Sequence, residues 1–246
     1  MKLFKLLCTT FTLILLVLSS TVQADIREIY VCNFLKGKNI DDVMSARDYY
    51  LKQAKKAGIA TPDAFVWTPY KSSLDYDVLW FNNYKDLMEF GTQADAFNSS
   101  SAMTSVIERF NSVMSCKSSL ASRETIFAGG DSPVANPPAI ISSNACMMKA
   151  GVQPDNMNDL KAHIKGVLGS IPGYKNSLLF MSTPMTPGSN SPDVFLYGVH
   201  DNVSAWAAKR AAFLKSDGGA MLGRHFQSTL DCTASLWVGQ QVVPKS

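Results

Sequence analysis

The sequence predicts an α+β chain in which one β-α-β-β-α-β unit occurs twice in tandem. The main observation is a colinear series of matches between the halves. Cys32 recurs as Cys146, Thr68-Pro69 as Thr183-Pro184, Asp77-Val78 as Asp193-Val194, Ala96-Phe97 as Ala212-Phe213, Phe110 as Phe226, Cys116 as Cys232 and Ser119-Leu120 as Ser235-Leu236, all at an offset of 114 to 116 residues. A second observation is that each half places one cysteine near its start and one near its end. A third is the stretch between the halves, 128–139, where Gly129-Gly130, Pro133, Pro137 and Pro138 read as a linker. The units are therefore 25–127 and 140–246.

Within the first unit, Ile26–Leu35 is rich in Ile, Tyr, Val and Phe and reads as a strand that Lys36-Gly37-Lys38 ends. Asn39 or Asp41 can cap a helix over Ile40–Ala57, where Val43, Ala46, Tyr50 and Ala54 recur at helical spacing and Gly58 stops the run. Ala64–Pro69 is a second strand, which Pro69 should confine to an edge. Tyr76–Asn82 is a third. Asp86–Phe97 is helical, broken at Ser99–Ser101, and the helix resumes through Met103, Val106, Phe110 and Val113. Cys116–Ile126 is the last strand. The second unit reads alike: strand Ser142–Met148, helix Asp155–Leu168, strands Ser177–Ser182 and Asp193–Tyr197, one helical region Asn202–Phe226, and strand Asp231–Val238. This order is the ferredoxin-like arrangement.

Residues 1–24 have the form of an export signal. Lys2 and Lys5 precede an apolar stretch from Leu6 to Leu18, and Val22-Gln23-Ala24 is a small-x-small cleavage site. The reading is a periplasmic or secreted chain beginning at Asp25, with Cys8 lost and no stable membrane insertion. Four cysteines then remain in an oxidising compartment. The repeat selects Cys32–Cys116 and Cys146–Cys232 from the three possible pairings. First and last strands are neighbours in a ferredoxin-like sheet, so each pair can face across them. The competing reading, a four-cysteine metal site, lacks the short two-ligand spacing that zinc sites use. Of 23 Lys and Arg, losing Lys2 and Lys5 leaves 21 against 20 Asp and Glu. With no basic stripe, a nucleic-acid partner is not expected.

The segment Asp77-Val-Leu-Trp-Phe-Asn-Asn-Tyr-Lys-Asp-Leu-Met-Glu-Phe, with the doubled element order, resembles the dimeric α/β-barrel superfamily. The likeness spans nearly all of 25–240 at the level of pattern, and it points to no specific family. It implies that the two units pack their sheets into one barrel inside the chain, hence a monomer, with a pocket between each sheet and its helices. Members include cofactor-independent monooxygenases, haem-degrading enzymes, chlorite dismutases and small-molecule isomerases. Haem-degrading members use Asn on the first strand, Trp on the third and His on the second helix. Here Asn33 and Trp80 occur in a unit without histidine. The second unit has His225 but Met147 and Leu196 at the strand positions. Neither set is complete, so no cofactor and no metal are expected.

The three histidines, His163, His200 and His225, match no metal motif. His163 can look into a pocket, His225 sits on a polar helix edge, and His200 should be exposed. Trp67, Tyr70, Tyr76, Trp80 and Phe81 cluster on the middle strands of the first unit, and strand alternation makes half of them core. The candidate ligand-binding residues are Asn33, Trp67, Trp80, His163 and His225, with a small apolar or aromatic ligand and the better site in the first unit. Phosphate loop, nucleophile elbow and paired-carboxylate signatures are absent. The first functional reading is an exported small-molecule-binding protein of the cell envelope. The alternatives are a cofactor-independent monooxygenase-like enzyme and a structural or partner-binding module. A pocket with convergent polar side chains would favour the enzyme, an apolar one the binder, and a filled one the module.

Overall fold

The structure, a computed structural model, describes residues 25–129, 138–174, 177–188 and 191–245. The expected leader and most of the expected linker lie outside these residues. The first half runs β1 (Asp25–Phe34), α1 (Ile40–Ala57), β2 (Asp63–Lys71), β3 (Val78–Tyr84), α2 (Leu87–Ser99), α3 (Ser101–Asn111) and β4 (Met114–Ala128). The second runs β5 (Ala139–Met148), α4 (Pro154–Ser170), β6 (Leu178–Pro184), β7 (Val194–His200), α5 (Val203–Lys215), α6 (Asp217–Thr229) and β8 (Leu230–Val243), with a 3-10 turn at Pro172–Tyr174 after α4.

Local chemistry sets the helix limits. Asn39 accepts from the backbone N–H of Asp41 and Asp42, Asp42 reciprocates in a capping box, and Gly58 closes α1 in the left-handed region at φ 67°. The buried residues of α1 are Val43, Ala46, Tyr50 and Ala54, the set its spacing selects. The helical region expected over Asn202–Phe226 consists of two helices. Its break falls at Ser216, whose hydroxyl accepts from Gly219 N–H and caps α6.

The strands close into an eight-stranded antiparallel barrel, in the order β1-β3-β2-β8-β5-β7-β6-β4. Each half contributes four adjacent strands in the same relative order. The halves are joined edge to edge by main-chain pairing of β2 with β8 and β4 with β6. One barrel inside the chain is what the sequence led us to expect; its two sheets join through their edge strands, and closure leaves no free edge. Closure corrects the edge placement of β2, which lies between β3 and β8. Pro69 is tolerated there because the β2–β8 register shifts between Pro69 and Lys71.

Alternation along the strands divides the core into three. Inside the barrel lie Trp67, Leu79, Phe81, Ile141, Tyr197 and Trp237. Outside, one apolar layer packs under α1 and α3, and another under α4 and α6. Arg27 is buried in the interior. Its Nε donates to Asn83 Oδ1 at 2.8 Å, and its guanidinium lies 4.7 Å and 4.8 Å from the ring centres of Phe81 and Tyr197. Burial lowers its pKa to about 10. Cys32 pairs across the sheet with Cys116, and Cys146 with Cys232, and both pairs are disulfide-bonded. The bridges consume the four cysteines that the metal-site alternative required. They suit an oxidising compartment.

Candidate functional site

A cavity of about 450 Å³ lies in the first half, between the outer face of the sheet and the helices. Its floor is Glu28 and Tyr30 of β1 with Trp80, Asn82 and Tyr84 of β3. These are alternate residues on neighbouring strands, so their side chains leave the sheet on one side. Its walls are Tyr50 of α1, Phe90 and Phe97 of α2, and Phe110 of α3. Trp80 meets Phe110 edge to face at 5.6 Å, and Tyr84 meets Phe90 likewise at 5.3 Å.

The polar groups converge on Glu28. Tyr30 donates its hydroxyl to Glu28 Oε1 at 2.7 Å. Asn82 Nδ2 and the Tyr84 hydroxyl donate to Oε2 at 2.9 Å and 3.2 Å. Trp80 Nε1 donates to Asn82 Oδ1 at 2.8 Å, which fixes the amide so that its NH₂ faces the carboxylate. Among the described residues, Glu28 is the one charged residue lining the cavity. Burial, with the nearby Glu28 charge, holds the phenols of Tyr30 and Tyr84 far above their ordinary range and pushes Tyr50 up to about 12. The site is thus a carboxylate with three donors at the base of an aromatic chamber.

The expected residues are distributed unevenly. Trp80 lines the cavity. Trp67 does not: it faces the barrel interior, 4.3 Å from Phe81 and 5.2 Å from Tyr197. Trp67 stands opposite Leu79 in the β2–β3 ladder, one place from the Val66–Trp80 pair, and one place reverses the face. Asn33 is exposed at the end of β1. There it accepts from Asp77 N–H at 3.2 Å and lies outside the cavity. His163 and His225 belong to α4 and α6 and contact each other, Nδ1 to Nδ1, at 3.0 Å. His200 is buried, with Nε2 2.8 Å from Ser142 Oγ. Its expected exposure is corrected because β7 extends three residues beyond Tyr197 and carries it into the sheet.

Sequence reasoning missed Glu28, Tyr30, Asn82 and Tyr84. A signal was present: Glu28 interrupts an apolar strand, two places from Tyr30 and so on the same face. In the second half, Leu160, Ile164, Leu168, Leu196 and Leu222 pack together on the corresponding side of the sheet. Leu196 takes the place of Trp80. Haem does not suit the first-half cavity. Among the described residues the lining includes no His or Cys for the iron, and the phenols are held protonated.

No protein-family model matches the chain, and no curated protein matches it. Solved structures match over most of its length. A proposed monooxygenase from Fusobacterium nucleatum subsp. nucleatum ATCC 25586 superposes with a TM-score of 0.59 at 13% identity, covering 92% of this chain and 95% of that one. One from Lactobacillus acidophilus NCFM gives 0.54 at 9%, covering 90% and 95%. A variant of the chlorite dismutase of Candidatus Nitrospira defluvii gives 0.52 at 10%, covering 90% and 93%. The chain shares its overall fold with these structures. At these identities the likeness speaks for fold alone. The first functional reading, an exported binding protein, is corrected on this finding: the structures that share the fold carry the names of enzymes. The convergent polar groups at Glu28 agree with that correction.

Proposed function

We propose that the chain is a cofactor-independent monooxygenase-like enzyme. Its substrate is a small aromatic molecule with an acidic O–H or C–H, and Glu28 is the general base. The observation that carries this reading is the Glu28 carboxylate at the floor of an aromatic cavity, oriented by Tyr30, Asn82 and Tyr84. Aromatic walls offer stacking surface for a flat ring. A carboxylate fixed by three donors needs no reorganisation to meet a substrate proton. Deprotonation leaves an electron-rich carbanion or phenolate, which is itself the reductant of dioxygen. A ring methylene and O₂ become a ring carbonyl and water, so substrate and oxygen account for every atom and electron.

The likeness of the two halves supports a further reading, that 25–127 and 140–246 are copies of one unit joined by 128–139. The disulfides support a site of action outside the cytoplasm, reached after loss of residues 1–24.

The test is oxygen uptake with a panel of hydroquinones and polycyclic phenols, repeated with Glu28→Gln. Removing a general base is expected to slow turnover by roughly 10²–10⁴-fold while ring binding persists. Equal rates for Glu28→Gln, or no uptake across the panel, would overturn the proposal.

A further inference from the structure

His163 and His225 face each other across α4 and α6, the helices that cover the second half of the barrel. Their Nδ1 atoms lie 3.0 Å apart, with ring centres 5.2 Å apart and ring planes tilted by 36°. Both rings are half-buried, so solvent reaches them. Leu160, Ile164 and Leu222 pack in the layer beneath these helices and fix their spacing. The backbone of His225 is held as well, since Ser228 Oγ and Thr229 Oγ1 both donate to its carbonyl at 2.9 Å. Two imidazole nitrogens this close cannot both carry a proton, so at least one is an open lone pair. The pair is therefore poised to receive either a shared proton or a cation that both nitrogens can bind.

We propose that His163 and His225 form a binding site for a divalent transition-metal ion, with Cu²⁺ preferred. Imidazole nitrogen suits this class of ion. The general affinity order of nitrogen sites places Cu²⁺ first. No third His, Cys, Asp or Glu joins the pair among the described residues, which leaves the other coordination positions to water or an added ligand.

The first half provides a contrast. Tyr49 stands where the second half has His163, and Arg109 stands where it has His225. There the Tyr49 hydroxyl lies 3.0 Å from Ser105 Oγ, and Arg109 donates to Ser45 at 3.3 Å. The site thus belongs to the second half alone and does not depend on the reaction proposed for the Glu28 cavity. The remaining histidine, His200, is buried and engaged by Ser142.

Electron paramagnetic resonance of the whole protein with one equivalent of Cu²⁺ tests the proposal. The expected spectrum is a tetragonal copper coupled to two imidazole nitrogens. His163→Gln and His225→Gln should each weaken Cu²⁺ binding at least about tenfold, and both should lose the two-nitrogen pattern. Cu²⁺ should raise the thermal midpoint of the wild type more than Zn²⁺ does. A wild-type spectrum without paired imidazole coupling overturns the site even if a variant misfolds. Wild-type affinity in both variants overturns it as well, and a Zn²⁺ effect exceeding that of Cu²⁺ overturns the choice of metal.

Discussion

Trp80 donates its indole N–H to Asn82, two residues along β3 and on the same face of the sheet. The same amide donates to Glu28, so the indole ring is linked through one hydrogen-bonded side chain to the carboxylate. A ligand that approaches Glu28 must therefore change the surroundings of Trp80. Trp67 and Trp237 lie on the opposite side of the sheet, inside the barrel. Binding of an aromatic ligand is expected to shift or quench the fluorescence of the wild type. The change should disappear in Trp80→Phe and persist in Trp67→Phe. A response that survives Trp80→Phe would move the ligand out of this cavity.

The buried phenols predict a loss of stability in alkali. Tyr50 titrates near 12 in the fold, and Tyr30 and Tyr84 are raised further, against an ordinary value near 10. Burial is the leading cause for all three, followed by the Glu28 charge. A raised pKa means the folded state keeps a proton that the unfolded chain releases. The stabilisation is full below about pH 10 and is lost as pH rises from about 10 through 12. Denaturant midpoints should fall over that window, less steeply in Tyr30→Phe. The phenolate absorbance of Tyr30, Tyr50 and Tyr84 should appear only above the ordinary tyrosine range. A single phase near pH 10 for all tyrosines would contradict the buried network.

His200 predicts the opposite edge of the pH profile. Burial, with Lys209 nearby, lowers its pKa to about 4 from 6.5. The unfolded chain takes up the proton first, so this contribution is present above about 6.5 and is lost as pH falls toward 4. The shift corresponds to an upper bound of about 3 kcal/mol. His200→Gln should flatten the stability profile between pH 7 and 4. Its imidazole should show no protonation by NMR at pH 5.5.

Much of the fold was legible because it rests on local signals. Asn39 and Gly58 bracket α1, the spacing of Val43, Ala46, Tyr50 and Ala54 gives its buried face, and the matched cysteines give the first-to-last strand pairing. Barrel closure was less legible. It depends on main-chain pairing of β2 with β8 and β4 with β6, which leaves no side-chain signature at such separations. The site was half legible for a related reason. Trp67 and Trp80 are equally aromatic and lie on adjacent strands, and only the register says which faces the helices. Glu28 was overlooked because a lone carboxylate in a strand has no motif. It gains its meaning from Tyr30, Asn82 and Tyr84 once β1 and β3 are paired.

The seam between the halves gives the last prediction. Gly239 of β8 stands opposite Trp67 of β2 on one side and Ala139 of β5 on the other. A Cβ there would lie 2.8 Å from Ile141 Cγ1 and 3.1 Å from Trp67 Cδ1, inside van der Waals contact. Both neighbours are buried in the barrel interior and have little room to move. Gly239→Ala should therefore destabilise the protein by roughly 1–3 kcal/mol through overpacking. The clash is chiefly with Ile141, so the cost should shrink in an Ile141→Ala background, a non-additivity that a double-mutant cycle reads directly. Ligand-induced change in Trp80 fluorescence should be retained, because the strain lies on the other face of the sheet. Equal costs of Gly239→Ala in both backgrounds would show that this glycine is not what lets the two halves close.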